Sequence, residues 1–93
     1  MKLVGRRILE QFARMHADVR TQLDAWACEV EEAGWQTPSE MKARYASASF
    51  VSNRVIFNLK GNKYRLDAKI SFKNQVVLVM RIGTHEEYST WKF

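Results

Sequence analysis

A single cysteine, Cys28, in 93 residues excludes an internal disulfide and any zinc site built on cysteines. No stretch approaches about eighteen consecutive apolar residues, which excludes a membrane-spanning helix. The start, Met1-Lys2-Leu3-Val4-Gly5-Arg6-Arg7, lacks the apolar run of a signal peptide, so a cytoplasmic protein is expected. No Asp/Glu/His cluster has metal-ligand spacing, and no repeat, low-complexity tract or linker interrupts the chain. Acidic residues are scarce in one half only. Residues 47–93 hold Asp67, Glu86 and Glu87 against eight Lys/Arg, whereas residues 1–46 hold seven of each sign.

The whole net charge of +5 therefore lies in the second half. A neutral front and a basic back suggest a scaffold followed by an anion-binding surface, and nucleic acid is the commonest such partner. The length allows one domain, residues 1–93, with two layers of secondary structure. A hydrophobic content of 46% is enough for a core.

Met1 to Gly5 reads as a short edge strand. Ile8, Leu9, Phe12 and Met15 then fall at helical spacing. Met15-His16-Ala17-Asp18 reads as a break, with Asp18 as N-cap of a second helix striped by Val19, Leu23, Trp26, Ala27 and Val30 and stopped by Gly34. His16 reads as a surface residue and Cys28 as inert. Thr37-Pro38-Ser39-Glu40 has the spacing of a capping box, with proline at the first position of a third, short helix.

Period two follows. Arg54–Lys60 and Lys63–Phe72 read as a hairpin about a two-residue Gly61-Asn62 turn, pairing Lys60 with Lys63, Leu59 with Tyr64, Asn58 with Arg65 and Ile56 with Asp67. That register puts Val55, Phe57, Leu59, Tyr64, Leu66, Ala68, Ile70 and Phe72 on one face. Arg54, Asn58, Lys60, Lys63, Arg65, Asp67, Lys69 and Ser71 share the other, with Ile56. A third strand, Val76–Thr84, joined by a three-residue loop, places Val76, Leu78, Met80 and Ile82 on the apolar face. Arg81 then lies opposite Asp67, and Gly83 opposite Arg65, where the missing side chain leaves room for an anion. Trp35, Trp91 and Phe93 read as packing at the sheet edge, or as surface for a partner. The fold class expected is α+β, with N-terminal helices on one face of a small twisted antiparallel sheet.

Three blocks carry a family resemblance: Ser47-Ala48-Ser49-Phe50, Val55-Ile56-Phe57-Asn58-Leu59-Lys60-Gly61-Asn62-Lys63-Tyr64-Arg65-Leu66, and Arg81-Ile82-Gly83-Thr84-His85-Glu86-Glu87-Tyr88. With Trp26 and Trp35-Gln36-Thr37-Pro38, they resemble the HigB toxins of the RelE/ParE superfamily of bacterial type II toxin–antitoxin systems. The resemblance implies the RelE-like fold and an endoribonuclease that cuts messenger RNA, in many members on the translating ribosome. It also implies silencing by a helix-turn-helix antitoxin, HigA. Relatives often carry an apolar residue where Asp67 stands, and an Asp where this chain has Ser89.

Cleaving RNA without metal or cofactor requires help in deprotonating the ribose 2′-OH, cations for the phosphorane, and a proton for the leaving 5′-oxygen. His85 is the candidate for proton transfer, histidine being the side chain suited to that work at neutral pH. Tyr88, three residues on, is a proton donor or a base-stacking ring. Arg65 suits bidentate phosphate binding. Arg54, Asn58, Lys60, Asn62, Lys63, Lys69, Arg81 and Lys92 are the candidate RNA contacts. Two other readings stay open: a ParE-like gyrase poison, and a non-catalytic nucleic-acid-binding domain.

Overall fold

The first apolar residues do form a strand, β1 (Lys2–Val4), and the chain turns at once into helix α1 (Arg6–Met15). The computed structural model describes all 93 residues. Gly5, at φ 97°, makes this turn; a Cβ there would lie 2.9 Å from the Val79 carbonyl oxygen, so only glycine fits. A 3₁₀ turn (Ala17–Val19) leads into α2 (Arg20–Glu32), then α3 (Pro38–Arg44). Strands β2 (Ser49–Val51), β3 (Arg54–Leu59), β4 (Tyr64–Ser71) and β5 (Val76–Thr84) follow, and α4 (His85–Ser89) comes last.

The strands form one sheet in the order β1-β5-β4-β3-β2. Consecutive strands β2 to β5 are antiparallel, but β1 runs parallel to β5, so the sheet is mixed rather than wholly antiparallel. Helices α1, α2 and α3 lie on one face as expected, while α4 packs over the end of the other. Leu9, Ala13, Leu23, Trp26, Ala27 and Val30 pack with Val55, Phe57, Leu59, Leu66, Val77 and Val79 in a single buried cluster. Each such valine, leucine or phenylalanine contributes about 1.5–3 kcal/mol on full burial, the alanines less. No helix is long and apolar enough to cross a membrane.

Local signals were met with corrections. Met15 is 82% exposed and Ala13 takes its place in the core, because the helix ends at Met15 and its inward stripe runs through Leu9 and Ala13. Asp18 does not cap α2; its carboxylate is turned toward Lys63 and Tyr64, and the helix is entered through the 3₁₀ turn. Gly34 does not stop that helix, which ends when Ala33 becomes extended. The extended exit returns Trp35 to pack edge-on against Tyr45, at 6.0 Å between ring centroids. Thr37 caps α3 through the Glu40 N–H, with Pro38 at the first position. The Glu40 carboxylate accepts from Gln36 N–H rather than closing on Thr37.

In the first hairpin, Val55↔Ala68, Ile56↔Asp67, Phe57↔Leu66, Asn58↔Arg65 and Leu59↔Tyr64 pair as the alternation requires. Its connection is longer than two residues. Lys60–Lys63 form the turn, with Lys60 and Gly61 both left-handed (φ 51° and 64°), so the two lysines share one bond, from Lys63 N–H to the Lys60 carbonyl at 3.2 Å, but lie outside the ladder. The second hairpin departs more. Its turn is four residues, Phe72–Gln75, which reverses the faces of early β5: Val77 and Val79 are buried, while Val76, Leu78 and Met80 are not. A bulge between Asp67 and Ala68, opposite Met80, restores the phase. Arg81 therefore does face Asp67, and Gly83 does face Arg65.

Candidate active site

Alternation along β4 sends Tyr64 and Leu66 to the helix side and Arg65 and Asp67 to the other. That other face is not open. The tail after α4 folds over it: the Arg81 guanidinium carbon lies 4.4 Å from the Trp91 ring centroid and 5.1 Å from that of Phe93. Arg81 Nη2 also donates to the Lys92 carbonyl at 3.2 Å. The space expected beside Gly83 is filled, since a Cβ there would meet Trp91 Cζ2 at 2.9 Å and Glu87 Cβ at 3.1 Å. Glycine serves here to admit an indole, not an anion.

Cations on this face differ in how far they are already matched. Asp67 is fully buried, and its Oδ2 accepts from Arg54 Nη1 at 2.6 Å and from Arg81 Nε at 2.8 Å. One carboxylate thus holds two of the candidate RNA contacts. Lys63 Nζ is bound to Asp18 Oδ2 at 2.9 Å. Asn58 Nδ2 donates to the Ser47 carbonyl at 3.3 Å. Lys60, Lys69 and Lys92 make no ion pair. Arg65 has no carboxylate partner either; its Nη1 donates to the Asn62 carbonyl at 2.7 Å, and its guanidinium lies 5.2 Å from the Tyr88 ring centroid. That stack and that hydrogen bond hold a buried guanidinium ready with its charge unspent.

Helix α4 opens with a complete capping box: Thr84 Oγ1 accepts from Glu87 N–H at 3.2 Å, and Glu87 Oε1 accepts from Thr84 N–H at 3.0 Å. The backbone N–H of His85 donates to the Lys63 carbonyl at 2.9 Å, pinning the helix start to the hairpin. The exposed His85 side chain borders a cleft of about 470 Å³ whose other walls are His16, Lys63, Tyr64, Thr84 and Glu86. Tyr88 and Arg65 are not among its walls. Tyr88 packs instead with Trp91 and Phe93, at 5.6 and 6.4 Å between centroids. The structure thus joins Arg65 with Tyr88 and joins His85 with Lys63, on opposite sides of one β4 segment.

The sequence pattern reads His16 as a surface residue and Asp18 as a cap, and gives neither a place in the site. His16 is half-buried, its ring stacked on Phe12 at 4.3 Å and edge-on to Tyr64 at 5.3 Å. Its Nδ1 lies 3.5 Å from the Tyr64 hydroxyl, which donates to Asp18 Oδ1 at 2.7 Å. Hydrogen bonds from Lys63 and Tyr64 hold the Asp18 carboxyl below its ordinary value. The Asp18 bond raises Lys63 in turn, and burial followed by the Asp18 bond raises the Tyr64 phenol. The available signal was two polar residues spaced one apart at a helix break, a place where side chains can turn toward a neighbouring strand. Elsewhere, Cys28 is exposed, and the charge of Glu32 pushes its thiol up, away from the reactive thiolate. No three His, Cys, Asp or Glu side chains converge closely enough to hold a metal ion.

Helices on one face of a five-stranded sheet, with a short C-terminal helix presenting a histidine beside a basic hairpin, make this an α+β protein of RelE-like architecture. A family model described as HigB toxin, the RelE-like toxic component of a toxin–antitoxin system, matches residues 19–91. The chain belongs to this HigB toxin family. It is 25% identical over 91 residues to the mRNA interferase toxin HigB of Escherichia coli K12, an alignment covering 95% of this chain and 88% of that protein. The mRNA interferases HigB of Escherichia coli O157:H7 and Shigella flexneri align with the same identity and coverage.

Proposed function

We propose that this toxin is an endoribonuclease that cuts messenger RNA in the cytoplasm, on the translating ribosome, and that a HigA-like helix-turn-helix antitoxin silences it. The observation that carries the reading is two groups that flank the start of β4: His85 on a cleft with Lys63 on one side, and Arg65 stacked against Tyr88 with no carboxylate partner on the other. The names of the aligned relatives support the same activity.

In the proposed reaction the ribose 2′-oxygen attacks the adjacent phosphorus. His85 takes the 2′-OH proton, the O2′–P bond forms and the P–O5′ bond breaks, leaving a 2′,3′-cyclic phosphate and a 5′-oxygen that must take up a proton to become the 5′-hydroxyl. Arg65 matches the negative charge that grows on the phosphorane with its unbonded Nε and Nη2. Tyr88 holds that guanidinium and offers a ring edge to a base. Lys60, Lys69 and Lys92 neutralise flanking phosphates or ribosomal RNA, and Arg54 and Arg81 contribute less because Asp67 already holds them.

The test is transcriptome-wide mapping of new RNA 5′ ends after inducing the chain in bacteria without an antitoxin, beside His85→Ala. The expected result is in-frame cuts inside translated messages that disappear in the variant. Growth arrest with no new ends overturns the nuclease reading in favour of a gyrase poison. Salt-sensitive RNA binding that survives His85→Ala, without cuts, leaves only a binding domain.

A further inference from the structure

Cleavage by 2′-oxygen attack has two proton transfers, and the site so far supplies a holder for one. Tyr88 was the sequence-based choice for the second, but it lies against Arg65, Trp91 and Phe93 rather than on the cleft that His85 borders. The chain has two histidines, and the cleft is lined by both. They come from opposite ends of the sequence, His16 from the α1–α2 junction and His85 from the head of α4, and Lys63 and Tyr64 lie between them along the cleft wall.

We propose that His16 is the general acid of this site, delivering the proton that the departing 5′-oxygen needs; the inference rests on the endoribonuclease reading above. Its ring is held for such a task. Phe12 stacks on one face at 4.3 Å, and Tyr64 meets it edge-on at 5.3 Å. The Tyr64 hydroxyl gives its own proton to Asp18 at 2.7 Å, so toward Nδ1, 3.5 Å away, its oxygen can act only as acceptor. The Nδ1 proton is thereby directed inward, and Nε2 is the nitrogen left to meet substrate. Lys63, bound to Asp18 at 2.9 Å, fixes the far end of the same chain of contacts.

The proton count closes. His85 takes the 2′-OH proton as O2′–P forms. His16 Nε2–H gives its proton to O5′ as P–O5′ breaks. The two imidazoles end with exchanged protonation states, which water restores before the next turnover. The charged and titratable groups facing His16 are Asp18 on its own turn, Lys63 and Tyr64 from the hairpin and β4, and His85 and Glu86 from α4.

The discriminating experiment uses ribosomes programmed with a message carrying one bridging sulfur in place of the 5′-oxygen at a mapped cut site. A thiolate leaves without protonation, so a missing general acid matters little there. On the ordinary message, His16→Asn and His16→Gln are expected to lose about 100-fold or more in cleavage rate. On the sulfur message both are expected to recover to within about tenfold of the parent, while His85→Ala stays slow on both. A parent chain that cuts and a His16→Gln chain that cuts the ordinary message equally fast overturns this inference alone, as does a His16 loss that sulfur does not repair. A parent that cuts neither message overturns the endoribonuclease reading as well. Should both variants fail to fold, the parent's pH profile decides. Its alkaline limb on the ordinary message must vanish with the sulfur message, and persistence of that limb overturns the assignment.

Discussion

Gly83 and Trp91 occupy the same space: a Cβ on the glycine would lie 2.9 Å from Cζ2 of the indole. The contact fastens the last residues of the chain onto the sheet, where Trp91 and Phe93 cover Arg81. Gly83→Ala should therefore release the tail while leaving the hairpins paired. A stability loss of about 1–3 kcal/mol is expected, as for other overpacked sites. Limited proteolysis after residue 89 and indole fluorescence should report the release. An unchanged fluorescence spectrum contradicts it.

Arg65→Lys keeps the positive charge but loses the planar fork, the stack on Tyr88 and the geometry of the bond to the Asn62 carbonyl. Cleavage is expected to fall about 100-fold, the size seen when one donor to a developing oxyanion is lost. RNA affinity, measured by fluorescence anisotropy, should hold within about threefold. Equal losses in binding and cleavage point to a residue that merely grips RNA.

Asp67→Asn separates two properties. Removing a fully buried carboxylate leaves Arg54 and Arg81 facing each other, and stability should drop by about 3 kcal/mol, the low end for a broken buried pair because both guanidiniums reach solvent. Both arginines then become available to phosphate. The slope of log affinity against log salt for a single-stranded RNA should steepen by about 0.7 for each arginine that joins. An unaltered slope shows that neither arginine reaches the RNA.

The Asp18–Lys63–Tyr64 group predicts stability limits at both ends of the pH scale. Asp18 lies below its ordinary 3.8 in the fold, so its contribution is present above 3.8 and is lost as pH falls through the lowered value. Lys63 and Tyr64 are raised from 10.5 and 10.0, so theirs is present below those values and is lost as pH rises through the raised ones. Melting temperature against pH should show a plateau between. Asp18→Asn should flatten the acidic limb and weaken the alkaline one.

The helix layer and the first hairpin were legible because their signals are local and redundant. Period-two alternation from Arg54 to Phe72 leaves only one register that buries Phe57, Leu59 and Leu66 together. The second hairpin was not, because two errors of phase cancelled. A four-residue turn inverted early β5, and the bulge opposite Met80 inverted it back, so Arg81 and Gly83 landed correctly for the wrong reason. Long-range contacts hid the remainder. Nothing near Gly83 announces that Trp91 folds onto it. Nothing in His16-Ala17-Asp18 announces that Tyr64, more than forty positions later, receives both side chains.

Strand β1 can find its place in the sheet only after β5 has been made, because β5 is its only sheet partner. The proposed cleft has the same property, drawing on residues 16, 63–64 and 84–86. A growing chain therefore carries no assembled cleft until residue 86 has emerged. Synthesis of this toxin has a built-in grace period, written in strand order and closed only when residues 84–86 join the cleft.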